Sequence, residues 1–168
     1  MHAASPATVP LPVRLSCPEV WLDRVTPALA VAGVVADDHA GVGLSVAPGR
    51  VVTDRVDGWS VESLPHLLVG VWPHGVQVGP WVVPGVGPCA RCVAAATLDE
   101  GDPTRPGSLS APLMTMAAGW AARDIGDWQR GERPSTWLCS WTIDHAPLPR
   151  SRRWERHPYC GCTWFDTA

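Results

Sequence analysis

The chain has 168 residues, of which 46% are hydrophobic and 17% charged, and its net charge is −3. This composition describes a globular domain with a real core and excludes an intrinsically disordered polymer. The small negative charge gives no general attraction to nucleic acid or acidic membranes.

Every basic side chain is arginine, so neither a P-loop lysine nor a lysine nucleophile is available. The 18 prolines and 16 glycines predict extensive loops, and ten tryptophans stand against one tyrosine and one phenylalanine. Indoles in that excess belong in the core or at a partner surface. The apolar run 27–36 is too short to span a bilayer, and Asp23 before it and Asp37-Asp38 after it do not fit a signal peptide. A cytoplasmic, reduced protein is therefore expected, in which paired cysteines serve a metal rather than disulfides.

In chain order, residues 1–18 are small, Pro-rich and aperiodic, and are expected to be a flexible lead-in to a single domain over 19–168. A short helix is expected over 19–30, with Val20, Leu22 and Val25 inward. The unbroken run 29–36 has the valine content of a buried strand in a parallel sheet. Asp37 and Asp38 follow its carboxyl end, where α/β sheets keep their ligand crevice, or simply end the strand in solvent. Gly41-Val42-Gly43 lacks the third glycine of a dinucleotide fingerprint. Residues 51–64 suit a short crossover helix with Asp54 and Asp57 outward.

Residues 66–71 and 76–83 read as strands joined by a turn at Trp72-Pro73-His74-Gly75. Ser110 is a candidate N-cap for a helix over 111–128. Leu113, Met116, Ala117, Trp120, Ala121, Ile125 and Trp128 line one face of it, and Arg123, Asp124 and Asp127 the other. Gly131 ends that helix. In 135–143 a late strand is expected, alternating Trp137, Cys139 and Trp141 with Thr136, Ser140 and Thr142. The basic stretch 150–156 reads as a solvated lead into His157-Pro158.

Two thiol pairs stand out: Cys89 and Cys92 in C-A-R-C, and Cys160 and Cys162 in C-G-C. Each turn offers two sulfurs on one side, which is what a tetrahedral zinc ion needs, and four protein ligands leave no position for a reactive water. The expected cofactor is therefore structural zinc on Cys89, Cys92, Cys160 and Cys162. His157 could replace one sulfur or close a turn. Cys17 and Cys139 fall outside the pairing and read as small buried hydrophobes. A redox role for Cys89 and Cys92 would need them to open a helix, whereas a Pro-Gly-Val-Gly-Pro loop precedes them. No H-E-x-x-H motif supports catalytic zinc, and no catalytic or nucleotide-binding residue is nominated.

The segment L-P-H-L-L-V-G-V-W-P-H-G-V-Q-V-G-P-W-V-V-P-G-V-G-P-C-A-R-C, then D-E-G-D-P, and the closing W-E-R-H-P-Y-C-G-C resemble ThiF-like proteins. These are relatives of ubiquitin-activating enzymes that partner YcaO-type cyclodehydratases in azole and azoline ribosomal-peptide, bacteriocin-like natural-product biosynthesis. The resemblance covers about residues 29–162. It implies an α/β fold, a partial ThiF-like, Rossmann-related sheet with a four-cysteine zinc site, lacking the nucleotide-binding half. No glycine-rich loop follows an early strand, so a phosphate cradle is not expected. The function implied is a non-catalytic accessory or scaffold protein acting on a YcaO-type cyclodehydratase, its precursor peptide, or both. A second copy of the chain is a further expected partner, since a half-sheet exposes an edge; nucleic acid and membrane are not. An adenylyltransferase and a small zinc-ribbon binding module are the competing readings.

Overall fold

The computed structural model describes residues 9–101, 103 and 105–162. Strand β1 (Leu11–Ser16) is followed by a 3-10 turn (Glu19–Trp21), helix α1 (Leu22–Val31) and strand β2 (Val34–Ala36). Strand β3 (Gly43–Pro48), helix α2 (Asp54–Val61) and strand β4 (His66–Trp72) come next. After β5 (Gly75–Val82) the chain forms a short helix α3 (Ala90–Ala95) and a long one, α4 (Ala111–Gln129). It ends in strands β6 (Cys139–Ile143) and β7 (Arg150–Arg153).

All seven strands share one mixed sheet in the order β2-β1-β3-β4-β5-β6-β7. The first four are parallel, and β4 to β7 form an antiparallel meander. The chain moves outward from β1 to β2, then returns to the other side of β1, which makes β1/β3 a topological switch point. Helices α1 and α4 pack on one face over the main core, where Val25 and Leu29 meet Ala117, Ala121 and Ile125. Helix α2 covers the other face through Val56 and Trp59, beside Leu64 and Ala90. Residues of β3 and β5 are buried throughout, as expected for central strands covered on both sides.

Several expectations require correction. Residues 11–16 are not a flexible lead-in: β1 is an inner strand whose Val13 is wholly buried, paired to β2 and β3. Residues 1–8 lie outside the described residues. The expected strand 29–36 is split. Its first residues finish α1, Gly33 adopts φ +83, and only Val34–Ala36 is extended. The glycine is the physical reason, because the left-handed conformation that ends a helix is nearly free for it. With β1, α1 and β2 present, the sheet also has strands on both sides of its switch point and is not a half-sheet.

Helix α4 begins after Ser110, which caps it by position without a side-chain hydrogen bond, and Gly131 follows its end at φ +77. Its buried face includes Met114, Ala118 and Asp124, while Met116 is 52% exposed. Asp124, expected outside, is fully buried, for a reason given below. The alternation in 135–143 is reversed: Thr136 and Ser140 are wholly buried, and Trp137, Cys139 and Trp141 are only half-buried. Among the described residues no helix is long and apolar enough to cross a membrane.

Candidate metal centre

The antiparallel β5 delivers the chain to a loop, 84–88, in which Gly85 and Gly87 take positive φ and Val83 bridges Val86. The turn places Cys89 at the N-cap of α3, and Cys92 one turn inside it. The two thiols thus sit on the same side of the helix start, 3.7 Å apart. The second pair returns from the far edge of the sheet. After β7, Trp154 is buried, its backbone N–H donating to the Leu138 carbonyl at 2.9 Å and its indole N–H to Ser140 at 2.8 Å. Arg156 then donates to the carbonyls of Gly87 at 2.9 Å and Gly85 at 2.7 Å. The arm carrying Cys160 and Cys162 is thereby bound to the loop carrying Cys89.

The four cysteine sulfurs lie within 4.8 Å of one another. Cys89 Sγ is 3.5 Å from Cys160 Sγ, and Cys92 Sγ is 3.3 Å from Cys162 Sγ. Sulfurs bound tetrahedrally at about 2.3 Å from a zinc ion stand about 3.8 Å apart, close to this spacing. A disulfide would bring two sulfurs to about 2.05 Å, and all four thiols are free. Cys92 is buried and the other three half-buried.

Burial dominates the electrostatics of the cluster. It pushes the Cys89 thiol up to about 11 and raises Cys162 further, where hydrogen bonds to Cys92 and Cys160 add to the effect. Cys160 moves the opposite way. Burial raises it, but the backbone N–H of Cys162 and the neighbouring thiols outweigh that by hydrogen-bonding to its sulfur. Several thiolates cannot coexist there uncompensated. A divalent cation at the centre would supply that compensation, so the donor set suits a soft, tetrahedral metal ion. Arg91, exposed beside the cluster, is held away from it by a bidentate contact to Asp57 at 2.9 and 2.6 Å.

The remaining candidates separate from this centre. His157 closes the approach turn, its carbonyl accepting from the Cys160 N–H at 2.9 Å, and does not join the sulfur group. Cys17 is pushed up to about 12 by burial and is half-buried next to Pro18. Cys139 is raised by burial and by the Asp124 carboxylate. Asp37 accepts from the His39 N–H at 2.8 Å, and Asp38, 81% exposed, pairs with Arg55 at 2.5 Å, so both take the solvent reading. The C-x-x-C does open a helix, contrary to expectation, and both of its thiols lie within reach of the second pair.

Sequence reasoning missed two polar centres. Asp124 accepts four hydrogen bonds: from Ser135 N–H (3.2 Å) and Oγ (2.8 Å), and from Thr136 N–H (2.9 Å) and Oγ1 (2.6 Å). Arg50, beyond β3 at the switch-point end, packs 4.7 Å over the Trp72 ring, donates to Gln77 at 3.2 Å and meets Glu100 at 3.3 Å. Glu100 also pairs with Arg152 of β7 at 2.5 Å. Neither residue has a local sequence signature, since its partners come from distant segments. The loop leaving β1 at this end reads Cys17-Pro18-Glu19, with no glycine.

No protein-family model matches the sequence, and no curated protein matches it. The fold is similar to that of the heterocyclase TruD, with TM-score 0.67 and 19% identity over 92% of this chain and 27% of that one. A heterocyclase in complex with substrate and cofactor is alike to the same degree, TM-score 0.67 and 20% identity over 91% of this chain and 25% of that one. Escherichia coli MccB, crystallised with MccA, gives TM-score 0.56 and 16% identity over 77% of this chain and 44% of that one. The chain therefore spans about a quarter of the heterocyclases' length and under half of MccB's.

Proposed function

We propose that the protein is a non-catalytic accessory or scaffold protein in the modification of a ribosomal precursor peptide, assisting a YcaO-type cyclodehydratase. Cys89, Cys92, Cys160 and Cys162 hold a structural zinc ion. The observation that carries this reading is the four-sulfur cluster, which would fill a tetrahedral shell and leave no position for a reactive water. The fold likeness to heterocyclase and MccB chains supports the setting, as does the ThiF-like resemblance of the segments around both thiol pairs. The loop after β1 supports a role without adenylation. Nucleotide-binding sheets place glycines and free backbone N–H groups there, whereas Pro18 has no N–H to offer.

In this reading the metal-bound thiolates join the loop after β5 to the arm after β7, closing the two ends of the outer meander on each other. The rigid surface so formed is what a partner enzyme or peptide would meet. The test combines purified protein with a YcaO-type cyclodehydratase and that enzyme's precursor peptide. Metal analysis should find about one zinc per chain. The protein should co-elute with the enzyme or peptide and increase the rate of water loss from the peptide, read by mass spectrometry. ATP-dependent pyrophosphate release by the protein alone would establish the adenylyltransferase reading instead. Absence of both metal and any effect on the enzyme would refute the proposal.

A further inference from the structure

Helix α4 covers the middle of its sheet face and reaches β6 through Trp120, but leaves the last strand, β7, largely exposed. There Trp141 of β6 and Ser151 of β7 are cross-strand neighbours, as are Cys139 and Arg153. Cross-strand neighbours share a face. With Arg133, Trp137 and Leu138 from the preceding segment, they line an open groove of which one side is β7. Strand β7 ends the sheet order, so its outer backbone edge is unpaired among the described residues.

Two features set this groove apart from an ordinary charged edge. Four exposed arginines elsewhere are neutralised, Arg55 by Asp38, Arg91 by Asp57, Arg130 by Asp127 and Arg150 by Asp144, whereas Arg24 and Arg105 are exposed singly without a carboxylate among the described residues. Arg133 and Arg153, both exposed, meet no carboxylate among the described residues, and both face this groove. Its indoles are also held in place. Trp137 stacks on Trp128 at 6.3 Å and 19°, and Trp141 packs on Trp120 at 5.6 Å. Side chains already ordered lose little entropy when a ligand covers them, and Trp and Arg are the residues that anchor interfaces.

We propose that this groove and the open edge of β7 bind an extended acidic peptide by strand addition. Its backbone would pair with β7, its carboxylates would meet Arg153 and Arg133, the latter lying 5.3 Å over the Trp137 ring, and an apolar side chain between them would lie on Trp141. The surface is separate from the cysteine cluster, so the proposal stands or falls independently of the metal and of the cyclodehydratase partner. Charge selects the occupant: a basic or neutral strand leaves both guanidiniums unanswered.

The test is fluorescence polarisation with a labelled peptide of repeating Glu-Ser-Val-Ser, which puts Glu and Val in turn on one face of a strand, and its Lys-Ser-Val-Ser counterpart as control, on the full chain with metal content verified. The acidic peptide should bind, weaken with added salt and quench indole emission, while the basic one does not. Arg133→Glu and Arg153→Glu should each weaken binding about tenfold, the loss of one good charge pair. Arg153→Lys should retain most of it, and all three variants should keep the wild-type circular dichroism. Failure of the acidic peptide to bind, equal binding of both peptides, or indifference to both reversals would overturn the proposal. So would displacement by single-stranded RNA, or self-association of the free protein that Arg153→Glu abolishes, which would assign the edge to nucleic acid or to a second copy.

Discussion

Replacing Asp124 by asparagine preserves side-chain volume and removes one carboxylate oxygen from a site with four donors. Oδ1 receives the Ser135 N–H and hydroxyl, and Oδ2 the Thr136 N–H and hydroxyl, at 2.6 to 3.2 Å. Whichever oxygen becomes the amide NH₂, it faces one hydroxyl and one backbone N–H. The hydroxyl can rotate and accept from the new donor, but the backbone N–H cannot. One buried N–H is orphaned, at about 1–3 kcal/mol, and the surviving bonds lose their ionic character, worth about 1 kcal/mol more. The expected destabilisation is about 3 kcal/mol, roughly a hundredfold in the folding constant. Urea unfolding followed by tryptophan fluorescence would measure it, read as a lower midpoint at unchanged slope. Thr136→Val combined with Asp124→Asn should be less than additive by about 1 kcal/mol. A midpoint shift equivalent to less than about 0.5 kcal/mol would refute the reasoning, because such a value belongs to surface substitutions.

Other outcomes follow from the same physics. His66 is wholly buried, its Nδ1 on the Leu64 carbonyl at 2.9 Å and its Nε2 without a partner, and burial lowers its pKa from 6.5 to about 4. The unfolded chain takes up this proton near pH 6.5 and the folded chain only near 4. Stability is therefore complete above that window and falls by about 3 kcal/mol as pH drops through it, a slope that His66→Leu should flatten in urea melts at several pH values. At Gly79, with φ +99, an added Cβ would stand 2.5 Å from the Cys139 carbonyl oxygen and 2.9 Å from Thr136 Cβ. Gly79→Ala should cost more than about 2 kcal/mol or prevent soluble expression, whereas Gly119→Ala, which meets nothing within 4 Å, should not destabilise. Chelation, or Cys160→Ser, should raise amide exchange in 89–96 and 157–162 while β4 and β5 stay protected. No cluster cysteine belongs to the two hydrophobic clusters, so global unfolding, or unchanged exchange, would contradict this.

Elements with one exposed face were legible, because exposure leaves a period. The helices over 54–61 and 111–129 and the hairpin 66–82 lie where patterning places them. Strand β3, G-L-S-V-A-P, was missed because all six residues are buried and none need alternate, and its glycine, serine and proline imitate a loop. In β1 a similar effect operates, with Pro12 and Arg14 disguising an inner strand. The thiol pairs were legible because each is local, with only the pairing of the two pairs being long-range. Asp124 was not, because its donors lie 11 and 12 positions away in a segment with no period of its own, so helical spacing alone assigned it to solvent. Arg50 and Arg152 are joined through Glu100 and both lie over the Trp154 ring, contacts that exist once the sheet has formed.

The switch point of an open α/β sheet is where ligands ordinarily bind, and here the chain fills it with its own side chains. Ser16 Oγ lies 3.2 Å from Thr53 Oγ1 at the end of β1, and the loop beyond is closed by Cys17 and Pro18. Arg50, the cation nearest that end of β3, is 13% exposed and committed to Gln77, Trp72 and Glu100. A phosphate arriving there would have to replace Glu100 as its partner, and the released Glu100 would leave Arg152, and with it β7, less firmly held. Truncating one partner of a partly buried charged group costs more than the pair itself contributes, because the other charge is stranded. The same arginine that could have served a nucleotide thus joins the parallel strands to the outer meander. The cysteine cluster makes a second tie, within the meander itself, between residues 70 and 71 positions apart. Two independent ties converge on the segment that carries β7. That placement favours a chain built to present an outer edge in a fixed geometry over one built to open a crevice.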